Sequence, residues 1–392
     1  MSKEVMKGNF VVAEAALKAG LECFFAYPIT PASEIPEYLA QEHRKGRLRS
    51  FLQGESEVSV INMLNGALIA GVRSMTATSS PGFSLMLEGI SYAAGMDLPI
   101  VIVDSMRGGP GLGDIFPSQE DYISAVKGGG HGGYKSIVLA PSSIQEMAEL
   151  TYDVFNLTEK YLMPGILLYD GLLGQLAEGI EFPEPRVERY SPDWAAQGMA
   201  NRIKEVYDSN KKYKKRPEGL ENIFNEIDEL FEKRGREKGP DHPNTLNSLY
   251  IDNPDFFEDL KALRAKKFQY VQDHEVRVEE YRVGGADFVV VAFGIPARIV
   301  KKSVEIARSK DIKVGMLRPI TLSPFPYKKL NRLGDTAKAF LTVELNNGQM
   351  VDDVKVGVNG KAPVSFYGRC GGSVPNEDEI LGEILKLEKL VK

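Results

Sequence analysis

The stretch Cys23-Phe24-Phe25-Ala26-Tyr27-Pro28-Ile29-Thr30-Pro31 decides the fold. An apolar, aromatic run too short for a helix stops at a proline-bounded turn, the pattern of a buried strand whose carboxyl end opens into a loop. Outward from it the same unit recurs. Strand-like runs stand at Cys23–Tyr27, Ser50–Leu52, Ser74–Thr78, Pro99–Val103, Ser136–Leu139 and Gly165–Tyr169, and helical patterns at Val11–Lys18, Val58–Ala70, Phe83–Ala94 and Ile144–Tyr161 lie between them. This alternation predicts an α/β fold, a parallel sheet doubly wound by helices. A polar stretch from Arg186 to Asn247 then interrupts the pattern, with charge-dense segments at Lys211–Arg216 and Asp228–Lys238 and a charged helical segment at Asp255–Val283. Alternation resumes at Phe288-Val289-Val290-Val291, with strands expected at Lys313–Met316, Ala339–Val343 and Val364–Tyr367 and helices at Ala297–Ser309 and Glu377–Leu390. The expected division is a first domain over residues 1–185, a charged linker or helical segment over 186–285, and a smaller α/β domain over 286–392.

The bulk composition agrees with two domains, since 392 residues with 43% hydrophobic content exceed what one core usually organises. A net charge of −6 gives no general attraction to nucleic acid or anionic lipid. The start, Met1-Ser2-Lys3-Glu4-Val5-Met6-Lys7, lacks a signal peptide's apolar core, and no apolar run approaches bilayer-spanning length. A cytoplasmic protein with neither nucleic acid nor membrane as partner is expected. Cys23 and Cys370 are the only cysteines and cannot make a four-cysteine cluster, so any iron–sulfur or zinc site must belong to another chain.

In open parallel sheets ligands bind beyond the carboxyl ends of the strands, so the residues there are the candidates. After the first strand, Thr30 and Pro31 are expected at the N-cap and first position of a helix, which either simply starts there or offers backbone N–H groups to a carboxylate. After the second come Glu55 and Glu57. Each can be a dipole partner, but Glu57 precedes Val58, Val60 and Ile61 and is the one expected in the interior, where desolvation favours a protonated carboxyl. After the fourth, Arg107 stands before Gly108-Gly109-Pro110-Gly111-Leu112-Gly113-Asp114 and is either a surface ion-pair former or a bidentate fork for an oxyanion. That loop has neither the Lys-Ser/Thr of a P-loop nor a following helix. His131, within Lys127–Gly133, is expected to be structural or a loop contact, and Ser80-Pro81-Gly82 lacks the glycines of a nucleophile elbow.

Together these residues resemble a known family. Tyr27–Glu34, Glu55-Ser56-Glu57, Thr76–Gly82 and Arg107–Pro110, in this order and spacing, are similar to the pyrimidine-binding domain of 2-oxoacid:ferredoxin oxidoreductases. Leu317-Arg318-Pro319-Ile320-Thr321 and Val343–Met350 are similar to that family's transketolase C-terminal-like domain. The loop Arg107–Asp114, with Pro117-Ser118-Gln119 and Gly128–Gly132, looks most like the branched-chain (2-oxoisovalerate) type. A 2-oxoglutarate- or pyruvate-specific relative is the alternative, as is the second chain of a lipoamide-linked 2-oxoacid dehydrogenase or a non-catalytic scaffold.

The resemblance implies a site for thiamine diphosphate shared with another chain. Glu57 matches the glutamate that hydrogen-bonds the cofactor's aminopyrimidine, Pro28 and Ile29 match its neighbours on the cofactor, and Thr30 and Arg107 match residues holding the substrate carboxylate. The diphosphate half needs Gly-Asp-Gly followed by Asn. Tyr169-Asp170-Gly171, with Asn201 downstream, lacks the first glycine and reads as a strand end. A beta-type partner must then hold diphosphate and Mg²⁺, with gamma-type and ferredoxin-like subunits, iron–sulfur clusters, ferredoxin and coenzyme A completing the oxidative decarboxylation.

Overall fold

The computed structural model describes residues 4–184, 187–190, 195, 213–233 and 254–391. Much of the polar stretch after Arg186, including Lys211 and Asn201, lies outside the described residues. The first unit runs β1 (Glu4–Lys7), α1 (Gly8–Lys18), β2 (Cys23–Ala26), α2 (Glu34–Arg44), β3 (Ser50–Gln53), α3 (Glu57–Ile69), β4 (Ser74–Thr78), α4 (Ser80–Gly95), β5 (Val101–Met106), α5 (Tyr122–Lys127), β6 (Ile137–Leu139), α6 (Ile144–Tyr161), β7 (Gly165–Asp170), α7 (Gly171–Gln175) and β8 (Ala177–Ile180). The second comprises β9 (Val278–Tyr281), β10 (Phe288–Ala292), β11 (Val314–Pro319), β12 (Thr321–Ser323), β13 (Ala339–Glu344) and β14 (Val364–Gly368), with helices Gly294–Arg308, Tyr327–Gly334, Met350–Val358 and Glu377–Val391.

The main sheet has the order β12-β6-β7-β5-β4-β2-β3 and is parallel except for β12. Its central strands are covered on both faces, and so β2, β4, β5 and β7 are buried throughout and read as continuous runs rather than alternating ones. From β2 the chain steps outward to β3 and returns to place β4 on the other side of β2. The strand order therefore reverses between β2 and β4, where open sheets form their ligand crevice. The second sheet, β14-β13-β10-β11-β9, packs on the first through one continuous core in which Ile102, Met106 and Tyr122 join Val291, Phe293, Phe340 and Met350.

Three expectations need correction. First, Thr30 does not cap a helix: α2 begins at Glu34, and the turn before it is pinned elsewhere, Thr30 O by Arg107 (2.8 Å) and Pro31 O by Asn9 (2.8 Å). Second, the charged helical segment ends at His274, and Val278–Tyr281 forms an edge strand antiparallel to β11, its Glu279 paired with Arg318 (2.8 Å) and Lys301 (2.7 Å). Charged side chains on an edge strand discourage further pairing, which is why this strand looks nothing like the core ones. Third, Thr321–Ser323, expected in the second domain, pairs with β6 of the first sheet.

The two units are further joined at the segment Ser118–Ile123. The fully buried Gln119 donates its N–H to Leu345 O (2.9 Å), accepts from Leu345 N (3.0 Å) and donates its amide to Phe293 O (3.0 Å). Asp170 spans the same junction, accepting from Leu173 N (3.2 Å) and from Ile295 N (3.0 Å). Burial pushes its carboxyl up to about 6. Among the described residues no helix is long and apolar enough to cross a membrane.

Candidate active site

Glu57 opens α3 behind Ser56, whose hydroxyl caps the helix by accepting from Ser59 N (3.4 Å). Its neighbour Glu55 is exposed and is engaged by the Ser59 hydroxyl, whereas Glu57 is only 4% exposed and turns inward beneath the first turn of α4. The space there exists because residue 82 is glycine: a Cβ at Gly82 would come within 2.5 Å of Glu57 Oε1 and 2.8 Å of its Cγ. No hydrogen bond or ion pair joins the Glu57 side chain to the described residues, and its oxygens are not among the sealed polar atoms, so solvent reaches the carboxylate. A side chain largely buried but with its carboxylate free, beside a glycine-made recess, can meet a planar ring nitrogen, so the residues fit the aminopyrimidine half of the cofactor.

Beyond β2, Tyr27, Pro28 and Thr30 are exposed and Ile29 half-buried, forming an open rim at the strand-order reversal. Arg107 follows β5 and is 5% exposed. Its guanidinium donates to Thr30 O (2.8 Å) and Leu112 O (2.9 Å), while its buried Nε has no partner. The structure thus brings Thr30 and Arg107 into contact, and the fork expected for an oxyanion holds two backbone carbonyls. No hydrogen bond or ion pair joins Glu57 to either residue.

Arg107 also lines a cleft of about 540 Å³ between the two units, with Ser80, Gly108–Gly111, Asp121, Asn347–Gln349 and Cys370. Its far wall is set by Glu344, fully buried at the end of β13. Glu344 accepts from Met350 N (2.8 Å), Val351 N (2.9 Å) and Asn346 Nδ2 (3.0 Å), which caps the helix Met350–Val358 and fixes the loop between. Burial raises its carboxyl pKa. Pro28, Ile29, Thr30 and Glu57 lie outside this cleft. His131 is exposed, and its backbone carbonyl, not its ring, receives the Ser91 hydroxyl.

Sequence reasoning missed a polar group behind Arg107. Ser80, the first residue of α4, places its hydroxyl on Asp121 and accepts from Arg107 N (2.9 Å). Asp104, fully buried near the end of β5, neighbours Asp121, and neither of its oxygens receives a well-aligned hydrogen bond. Burial and the Asp121 charge push Asp104 well above the usual carboxylate range, and burial lifts Asp121 to about 6. Only Ser80 was visible in sequence as a polar residue after a strand; Asp121 reaches the group through a loop that no local pattern announces.

Comparison with known proteins agrees along the whole chain. Residues 14–231 match the family model described as pyruvate flavodoxin/ferredoxin oxidoreductase, thiamine diphosphate-binding, and residues 286–380 match pyruvate:ferredoxin oxidoreductase core domain II. The chain is 43% identical over 391 residues to ketoisovalerate oxidoreductase subunit VorB of Methanothermobacter marburgensis, covering 99% of this chain and 98% of that one. It is 34% identical to 2-oxoglutarate synthase subunit KorA of the same organism, covering 98% of each chain. A solved 2-oxoglutarate:ferredoxin oxidoreductase from Magnetococcus marinus superposes with a TM-score of 0.81 at 27% identity, over 98% of this chain and 65% of that longer one. A split-gene transketolase at 12% identity and a TM-score of 0.56 shares the fold alone. With a thiamine-diphosphate-binding unit and core domain II in the family's order, and a near full-length match to its subunits, the chain belongs to the 2-oxoacid:ferredoxin oxidoreductase family.

Proposed function

We propose that this chain is the pyrimidine-binding subunit of a branched-chain 2-oxoacid:ferredoxin oxidoreductase, working in the cytoplasm with a beta-type chain that holds the diphosphate and Mg²⁺. Gamma-type and ferredoxin-like subunits complete the complex, the iron–sulfur clusters lie on partner chains, coenzyme A takes the acyl group and ferredoxin takes the electrons. One observation carries the reading: Glu57 is turned inward with its carboxylate unengaged, in a recess that Gly82 keeps open near the reversal of strand order. The branched-chain assignment is supported by the 43% identity to a ketoisovalerate oxidoreductase subunit against 34% to a 2-oxoglutarate synthase subunit.

Thiamine diphosphate, when bound, supplies the carbon nucleophile and takes up the electron pair freed by decarboxylation. The chain's own residues do the rest of what this half of the site requires. Glu57 would hold a proton against the pyrimidine ring nitrogen. Pro28 and Ile29 form the apolar rim against the ring. Arg107 and Thr30 hold the substrate carboxylate, the guanidinium releasing the Leu112 or Thr30 carbonyl to do so. The division over residues 1–185 and 286–392 assigns cofactor binding to the first unit and the closing wall of the cleft to the second.

The test is to express the chain alone and with its co-purifying partners. The chain alone is expected to be inactive and to bind thiamine diphosphate weakly, whereas the complex reduces ferredoxin with coenzyme A and prefers 2-oxoisovalerate to 2-oxoglutarate or pyruvate. Tight Mg²⁺-dependent cofactor binding by the isolated chain sinks the shared-site reading, and a preference for 2-oxoglutarate sinks the subtype.

A further inference from the structure

Asp104 and Asp121 have no role in the chemistry above. Both are buried, at 0% and 9% exposure; Asp121 lines the cleft with Arg107, and Asp104 lies behind it. A carboxylate can bond another carboxylate only if one of them carries a proton. The Ser80 backbone N–H points toward Asp104 without good alignment and no other donor reaches either oxygen, so a proton on this pair would supply the bond. Asp121 in turn takes the Ser80 hydroxyl, and Ser80 Oγ receives the backbone N–H of Arg107 at 2.9 Å. The groups thus follow one another from Asp104 through Asp121 and Ser80 to Arg107, the last three lining the cleft. On the other side, Thr78 stands in register with Asp104, and its hydroxyl is also without a partner.

We infer that Asp104 and Asp121 share one proton and act as a positioning pair, holding the Arg107 backbone through Ser80 so that its guanidinium meets the substrate carboxylate. This rests on the reading of Arg107 as the substrate-carboxylate group. Losing the proton leaves two buried anions that repel each other and draw Asp121 away from Ser80. Other charged or titratable groups around the pair are Arg107 and Glu120, which act on Asp121 with opposite signs, Tyr169 of β7, which feels Asp104, and Glu57 of α3 under the same turn of α4. None offers Asp104 a cation. The pair therefore ionises fully only at a pH well above that of an ordinary carboxylate, and the direction of both shifts agrees with the geometry.

The experiment has two arms. Infrared difference spectra of the full chain at neutral pH are expected to show a protonated-carboxyl stretch that Asp104→Asn removes. In the assembled complex, the wild-type KM for the 2-oxoacid is expected to rise about tenfold as pH increases through the second ionisation, with kcat nearly constant, the loss of about one hydrogen bond's positioning. Asp104→Asn supplies an amide donor to Asp121 at every pH and should flatten that rise while keeping KM at the low-pH value. A wild-type KM independent of pH, or a rise that persists unchanged in Asp104→Asn, overturns the inference, as does a band unaffected by the substitution. If Arg107→Lys leaves KM untouched, the substrate reading of Arg107 fails instead, and the infrared band alone decides the shared proton.

Discussion

Replacing Gly82 by alanine tests the cofactor site without touching any group proposed to contact the cofactor. Gly82 lies in the first turn of α4 at a backbone conformation any residue adopts, where alanine has the higher helix propensity, so the backbone itself raises no objection. The added Cβ would stand 2.5 Å from Glu57 Oε1, and closer still to Thr78 Oγ1, whereas ordinary contact begins at 3.4 Å. The Glu57 carboxylate must therefore move by about 0.9 Å, the difference between those two distances. A displacement near 1 Å at a positioned catalytic group costs about a hundredfold in rate, or about 2.7 kcal/mol of barrier. The assay is deuterium exchange at C2 of the cofactor in the assembled complex, which reports activation without substrate. Gly66→Ala on the neighbouring helix, where a Cβ meets nothing within 4 Å, is the control and should leave exchange unchanged. If the folded Gly82→Ala complex exchanges at the wild-type rate, Glu57 is not the activating group.

Other substitutions separate the remaining assignments. Glu57→Gln should slow C2 exchange about a hundred- to ten-thousand-fold while the complex still assembles, and Glu55→Gln, at an exposed side chain engaged only by Ser59, should change it little. Arg107→Lys gives up the planar fork and should raise KM for every 2-oxoacid, with steady-state kinetics over several substrates as the check. Asp170→Asn leaves one of two buried N–H groups without a good acceptor and should lower stability by about 1–3 kcal/mol in denaturant melts. Because burial raises the Asp170 pKa to about 6, the folded chain binds this proton more tightly than the unfolded one. The wild type therefore loses part of its advantage as pH rises from about 4 to about 6, and a gap to Asp170→Asn that widens over this window contradicts the assignment.

The doubly wound sheet was legible because its cause is local. Strands buried on both faces must be apolar along their length, and runs such as Cys23–Ala26 and Gly165–Asp170 declare this without reference to anything distant. The same locality separates Glu57 from Glu55: a residue followed by Val60 and Ile61 on one helix turns inward with them. The edge strand Val278–Tyr281 was read as helix because charged residues satisfy either state, and only its pairing with Met316–Pro319 decides between them. Thr30 was expected to start a helix, but Arg107, just past a strand two places away in the sheet, holds its carbonyl out of that role. Likewise, nothing near Asp104 in the chain marks it as a partner of Asp121 and Ser80, since these meet only when the loop after β5 folds back across the mouth of α4. Sequence by itself determined which segments are strands and helices in the core and which carboxylate goes inward, because burial and periodicity act within a few residues. The tertiary structure alone decided which polar groups share a donor or a proton, because a buried hydrogen bond is satisfied by whatever the fold brings within about 3 Å, however far apart in the chain.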